Sequence, residues 1–317
     1  MIPLGRLARN AAFLLGGLAL AACAAPGAAD RAPAHTLRVL TLNIQVDGRD
    51  GRVPRLVELI RQTGADVAAM QEVDAAGPEI ARQLGFKYAR LNSDKAIVSR
   101  YPLEPGPGAD AVKVRVPGIH GDVVLMDLHL YYTPYQPYQL LGIPYDSGRF
   151  IKTEAEAVDE ARKARGKDVD AAVADLRALG SEPLGVIVVG DFNEPSHLDW
   201  TERAAAAKRH PIAVAWPSTK AFADFGLRDA YRELNPDEMA KPGFTWTPGL
   251  DPADPKDHAD RIDFVLYRGQ GLRARSASIV GEDAAHADVV VAPYPSDHRG
   301  VLVTFGLEDA RTAHAAR

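Results

Sequence analysis

With one cysteine, Cys23, among 317 residues, the chain has no partner for an internal disulfide. Signatures of several enzyme classes are missing as well: no G-x-S-x-G nucleophile turn, no H-E-x-x-H zinc helix and no Walker A phosphate loop. No apolar run reaches the roughly 20 residues that a membrane-spanning helix needs. Positive charge is in deficit. The formal net charge is −5, and an acidic body does not draw a polyanion from long range. That counts against a dedicated nucleic-acid binder without forbidding a locally positive cleft. No internal repeat or shift of composition divides residues 37–307, so one large domain with a sizeable core is expected there.

What is present begins with a leader. Arg6 and Arg9 precede the apolar segment AAFLLGGLALAA, and LAAC ends at Cys23. A basic start, a short apolar core and small residues at the cut describe a secretory signal. LAAC resembles the lipobox of bacterial lipoproteins. The resemblance implies that residues 1–22 are a signal peptide, that lipidated Cys23 becomes the N-terminus and anchors the protein, and that the mature chain keeps no free thiol. Ala24 stands where an aspartate would retain a lipoprotein in the inner membrane, so the expected destination is the outer membrane, facing the periplasm or the cell surface. An ordinary cleaved signal with an incidental cysteine is the competing reading. Residues 23–36, rich in Ala, Pro and Gly, read as a tether, and 308–317 as a flexible tail.

Strand character marks residues 37–44, 66–73, 95–100, 111–116, 122–130, 184–192, 261–268, 274–280 and 300–305. A helix over 52–63 places Val53, Leu56, Val57 and Ile60 on one stripe and ends at Gly64. Others are expected at 78–84, within 150–179 with a break near Gly166, and from Ser196 as an N-cap. Strands outnumber helices, and hairpin-length turns such as 117–121 join some of them. A regular βαβ alternation is therefore excluded, and the expectation is an α/β fold of two packed sheets with helices outside.

Strand side chains alternate faces, so each run can be tested in turn. Asn43 shares a face with Thr41 and Val39, and Glu72 shares one with Met70 while Gln71 points the other way. Asp127 and His129 fall together. Asp191 and Asn193 follow Ile187 and Val189, provided the strand stays regular across Gly190. Asp263 opposes Ile262 and Phe264, and Asp297 and His298 stand just before the run 300–305. One strand-end Asn or Asp is ordinarily a turn residue or a cap. Recurrence on strand after strand is different, because burying so many polar groups without a common partner is costly. A hard divalent cation, keeping waters for a phosphate to replace, would be such a partner.

QEV, IVSRYPL, LHL, GDFN, DRIDFVL and SDH, in this order, resemble the endonuclease/exonuclease/phosphatase superfamily with the DNase I-like fold over about residues 37–307. The resemblance implies a four-layer α/β sandwich of two mostly antiparallel mixed sheets flanked by helices. It implies hydrolysis of phosphodiesters or phosphomonoesters by water with Mg²⁺, or Mn²⁺ in its place. It also implies roles: Glu72 as principal metal ligand, Asn43 beside it, and Asp297 completing the metal shell. Asp191 and Asn193 would position water and phosphate. His298, oriented by Asp263, would act on the phosphate, with His129 as a second phosphate-side histidine. The number of ions stays open, and a monomer is expected.

Other residues carry two readings each. Arg261 meets either a phosphate or a surface carboxylate. His35, His120, His210, His286 and His314 lie in tethers, turns or the tail and receive no role, while His197 packs or bonds at a helix start. The loop 131–150 holds Tyr131, Tyr132, Tyr135, Tyr138 and Tyr145 directly after His129, and 243–249 lies near DRIDF; each contacts substrate or packs on its own domain. No Lys/Arg cluster stands near the motifs beyond Lys95, Arg100, Arg149 and Arg261, which favours a non-nucleic phosphoester over a nuclease substrate. A non-catalytic lipoprotein scaffold is a further reading, and the intact set of site residues speaks against it.

Overall fold

Two sheets are built from the expected apolar runs, in a computed structural model that describes residues 35–179, 183–250 and 254–308. The signal peptide, Cys23, nearly all of the tether and the tail from residue 309 lie outside the described residues. The first sheet runs in the order β12 (Val289–Val290), β11 (Leu272–Gly281), β13 (Gly300–Leu307), β1 (His35–Asn43), β2 (Val67–Gln71), β4 (Lys95–Ser99) and β3 (Lys87–Arg90). The second runs β5 (Leu103–Pro105), β6 (Ala111–Val114), β7 (Val123–His129), β8 (Gly185–Asp191), β10 (Asp263–Arg268) and β9 (Arg228–Asp229). Most neighbours are antiparallel, but β1 pairs β2 in parallel and β7 pairs β8 in parallel. Those two parallel pairs send four strand ends toward one edge.

Alternation then sorts the side chains. Leu37, Val39, Val67, Leu125, Ile187, Val189, Val265, Val303 and Phe305 face the space between the sheets and form a dry core. On the outer face of the first sheet, Leu40, Leu42 and Met70 meet Leu56, Val57 and Ile60 of α2 (Val53–Thr63) and Ile80 of α3 (Ala76–Leu84), which follow the distorted turn α1 (Gln45–Gly48). On the outer face of the second, Val124, Val186 and Phe264 meet Val169, Val173 and Leu176 of α5 (Glu154–Arg177) and Phe222 of α7 (Pro217–Asp224). The remaining helices are short: α4 (Gln136–Leu141), α6 (Glu202–Ala206) and α8 (Ala230–Leu234). The result is the expected four-layer α/β sandwich of the DNase I-like type. Among the described residues no helix is long and apolar enough to cross a membrane.

Two helix expectations fail for identifiable reasons. α5 continues through Gly166 without a break, opened by a capping box between Thr153 and Glu156. A mid-helix glycine costs only about 1 kcal/mol, less than the burial of Ala161, Arg165 and Val169 on either side of it contributes. Ser196 caps nothing. Residues 197–199 form a turn that draws Trp200 inward, and the helix starts at Glu202, where the Thr201 hydroxyl accepts the Ala204 N–H at 3.1 Å.

Candidate active site

The dry core between the sheets ends in polar groups at one edge. Asn43 closes β1, Gln71 closes β2, His129 closes β7 and Asp191 closes β8, while antiparallel β10 sets its first residue, Asp263, opposite Asp191. Asp191 is the hub. Its Oδ2 accepts from Asn43 Nδ2 at 3.1 Å and lies 3.7 Å from Nε2 of both His129 and His298, while Oδ1 accepts the Asn193 N–H at 2.8 Å. Each imidazole is held from behind by a further carboxylate: His298 Nδ1 donates to Asp263 Oδ2 at 3.0 Å, and His129 Nδ1 to Asp94 Oδ2 at 2.6 Å. Asn43 Nδ2 also reaches Glu72 Oε1 at 3.1 Å, and its Oδ1 accepts the Gln45 N–H at 2.9 Å. The Ser296 hydroxyl donates to the Asn43 carbonyl at 2.6 Å and accepts the His298 N–H at 3.1 Å, which fastens SDH to the end of β1.

Regular alternation would have left Glu72 on the face of Met70, under the helices. Instead β2 stops at Gln71, Glu72 adopts φ 54°, and its side chain turns back to the cleft, where the Val46 N–H meets Oε2 at 2.6 Å. Gln71 takes the inter-sheet face, and its Nε2 donates to Asp127 Oδ1 at 2.6 Å and Thr41 Oγ1 at 3.1 Å. Gln45, Val46 and Asp47 are left-handed too, at φ 54°, 48° and 59°. Such residues cost roughly 1–2 kcal/mol each outside glycine, and the turn they form has two uses. It aims the Val46 N–H at Glu72, and it lays the Asp47 carboxylate across the N–H groups of Asp74, Ala75 and Ala76 at 2.8, 3.1 and 2.9 Å. Those are free donors at the start of α3, where an anion is favoured. Gly190 has φ 133°, and a Cβ there would sit 1.8 Å from the Leu128 carbonyl oxygen. Pairing with β10 nevertheless persists, so Asp191 keeps the face of Ile187 and Val189. Asn193, at φ 47°, leaves the strand pattern and donates Nδ2 to the Leu130 carbonyl at 3.0 Å.

Burial opposes charge on His298, but Asp263 and Asp191 outweigh it and push its pKa up to about 10. At His129 burial is likewise outweighed, by the Asp94 hydrogen bond and by Asp191, and the pKa rises to about 9. Both rings are cations at neutral pH. Burial raises the pKa of Asp297; His298 pulls it down, while Glu72 and Asp191 add to the rise. Asp297 Oδ1 is buried without a hydrogen-bond partner. Oxygen donors in excess negative charge, one of them unpartnered, fit a hard divalent cation.

Several residues were not foreseen. Asp94 stands one place before β4, and the strand-end rule that singled out Asn43 would have found it. The Trp246 ring, in 243–249, lies 6.4 Å from that of His298, and Thr245 Oγ1 in the same segment accepts the N–H groups of Ile262 and Asp263 at 3.0 and 3.1 Å. Arg261 meets neither a phosphate nor the surface. It is buried between Asp199 at 2.9 Å and Asp229 at 2.7 Å, a role that sequence neighbours cannot reveal. Lys95 pairs Asp110 at 2.7 Å, Arg100 pairs Asp66 at 3.1 Å and Arg149 pairs Glu156 at 3.0 Å. His197 bonds the Thr219 hydroxyl at 2.8 Å, as a packing residue would. His210, expected in a plain turn, is buried and faces His258 at 3.1 Å. The tyrosine loop divides: Tyr135 and Tyr138 pack inward, while Tyr131 and Tyr132 stay exposed with ring centroids 5.3 Å apart.

Known proteins resemble this chain in sequence or in fold. The uncharacterized protein F14F9.5 of Caenorhabditis elegans is 26% identical over 294 residues, 85% of this chain and 91% of its own length. The 3′ phosphatase NExo from Neisseria, solved with a product DNA hairpin, superposes with TM-score 0.54 at 19% identity, covering 84% of this chain and 98% of that one. An endonuclease/exonuclease/phosphatase from Beutenbergia cavernae gives TM-score 0.52 at 19% identity, covering 86% and 72%. An AP endonuclease from Archaeoglobus fulgidus gives 0.51 at 17%, covering 84% and 98%. At these identities the solved structures establish the fold. The sequence profile of the Endonuclease/Exonuclease/phosphatase family matches residues 40–298, from within β1 to His298, and the chain belongs to that family, whose members are hydrolases acting on phosphoesters.

Proposed function

We propose that the protein is a Mg²⁺-dependent phosphoester hydrolase, with Mn²⁺ able to replace Mg²⁺, acting outside the cytoplasm. One observation carries the reading: two imidazoles, each backed by its own carboxylate, flank Asp191 at 3.7 Å beside Glu72 and Asn43. Asp191 takes a proton from an attacking water in this reading. His298 and His129, as cations, bind the non-bridging oxygens of the phosphate, and His298 Nε2 can hand a proton to the leaving oxygen. Asp263 and Asp94 orient the two rings, and Asn193 fixes Asp191 through its backbone N–H. Glu72 and Asp297, with Asn43 beside them, would hold the cation. When bound, Mg²⁺ neutralises charge that develops on the phosphate oxygens.

The substrate we favour is a non-nucleic phosphoester. Lys95 and Arg261 are buried against carboxylates and withdrawn from a nucleic-acid backbone, and the exposed Arg100 and Arg149 each pair a carboxylate, so no cluster of free cations stands among these four. A nuclease is the second reading, because a solved neighbour is a 3′ phosphatase holding DNA and another is an AP endonuclease. Location rests on the leader and on LAAC at Cys23. The test is a panel with Mg²⁺ or EDTA: bis-aryl phosphate, aryl monophosphate, sphingomyelin, single- and double-stranded DNA, and RNA. Metal-dependent turnover of a non-nucleic ester that disappears in His298→Ala supports the proposal. Faster cleavage of nucleic acid transfers it to the nuclease, and activity undiminished by EDTA removes the metal.

A further inference from the structure

Away from the catalytic edge, ligand atoms of His210, His258 and Asp260 lie within 4.8 Å of one another. His210 belongs to the loop after α6, and the other two to the segment that enters β10. His210 Nδ1 and His258 Nε2 face each other at 3.1 Å, and His258 Nε2 is 3.9 Å from Asp260 Oδ1. Two nitrogens bound to zinc at about 2.0–2.1 Å in a tetrahedral shell stand about 3.3 Å apart. The observed pair is nearly there. Both facing nitrogens cannot carry protons at this separation, so at least one lone pair points into the cluster.

Outer groups hold the donors in place, as they do around metal ligands. The His210 ring stacks on Trp200 with centroids 4.2 Å apart and planes 13° from parallel. Asp260 accepts Trp200 Nε1–H at Oδ1 and the Tyr135 hydroxyl at Oδ2, both at 2.8 Å. His210 and Asp260 are buried, whereas half-buried His258 lines a cavity of about 260 Å³ that offers an entry path and room for water. Neighbouring cations are engaged elsewhere: Arg209 with the Glu238 and Met239 carbonyls, Arg261 with Asp199 and Asp229.

We propose that His210, His258 and Asp260 form a second metal site that takes one Zn²⁺, with water as the fourth ligand. Nitrogen donors select zinc over Mg²⁺, which distinguishes this site from the all-oxygen set around Glu72. The ion ties the loop after α6 to the segment where Asp260 bridges Trp246, the residue beside His298.

The experiment uses the full chain, untagged, stripped with EDTA, loaded with Zn²⁺ under excess Mg²⁺ and desalted. Zinc is then counted by mass spectrometry. About one zinc per chain is expected in wild type and in Glu72→Gln, with at least a tenfold lower content in His258→Gln and His210→Gln. Cobalt in place of zinc should give tetrahedral visible absorption, and zinc should raise the Tm of wild type but not of His258→Gln. His258 is partly exposed, so this variant keeps the test decisive even where His210→Gln fails to fold. Less than about a tenth of a zinc per chain in wild type, or full zinc in His258→Gln, overturns the site and leaves a hydrogen-bonded histidine pair.

Discussion

Asp263→Asn keeps the shape of the side chain and removes a charge 3.0 Å from His298 Nδ1. At an effective dielectric of about 20, two unit charges at that distance interact by about 5.5 kcal/mol, or about 4 pH units. His298, at about 10 in the wild type, should therefore titrate near neutrality in the variant. If the imidazolium is the working form, wild-type kcat holds into the alkaline range, while that of Asp263→Asn falls as pH rises above about 6. At pH 8 the charged fraction, and with it kcat, should be down about 100-fold, recovering on acidification. The assay is kcat against pH at saturating Mg²⁺ on the best substrate of the panel. Stability supplies a second readout. A folded pKa above the free-histidine value of about 6.5 stabilises fully below that value and is lost as pH climbs through about 10. Metal-free wild type should lose stability across that window, and Asp263→Asn should not show this loss. A uniform drop in kcat with superimposable pH profiles would refute the charge-pair argument.

Glu72→Gln should lower metal affinity and recover part of its rate at high Mg²⁺, whereas His298→Ala should lose about 10²–10⁴-fold in kcat with no recovery; a Mg²⁺ titration of both variants decides, and the reverse pattern exchanges their roles. Arg261→Ala removes the only guanidinium among the described residues that bonds the buried Asp229 carboxylate and leaves Asp199 with Arg232, and should cost about 3–5 kcal/mol in urea unfolding; a loss under 1 kcal/mol contradicts the buried charge network. Gly190→Ala drives a methyl to 1.8 Å from a backbone oxygen, so it should unfold β8 or displace Asp191, read as lost soluble yield or lost kcat. Cys23→Ala should abolish labelling by a palmitate analogue and release the protein from membranes; unlabelled wild type is no lipoprotein.

Long apolar runs made the central strands legible, since alternation over several residues survives any context. β3, β5, β9 and β12 are edges of four, three, two and two residues whose pairing comes from neighbours, so no pattern announces them. Within the site, Asn43, Asp191 and Asp263 follow from counting alternate residues along β1, β8 and β10. Glu72 does not, because a left-handed residue at the strand end reverses the count that set it beside Met70, and its role as metal ligand came from the QEV resemblance. Arg261 shows the opposite limit: its partners Asp199 and Asp229 lie 62 and 32 positions away, and burial rather than sequence decides its use.

β1 lies between β2 and β13, paired with the latter from His35↔Leu307 to Thr41↔Val301. The first strand of the fold is therefore unfinished until the last has been made. A nascent chain that stops short of residue 300 leaves one edge of β1 open, and until residues 297 and 298 emerge Asn43 and Glu72 have no Asp297 or His298 to face. Competence should arrive in one step once β13 has been made, not by degrees, and deletions that enter β13 should be all-or-none in effect. Joining segments so far apart along the chain also makes folding slow, which leaves a long interval in which the unpaired edge of β1 can meet other chains.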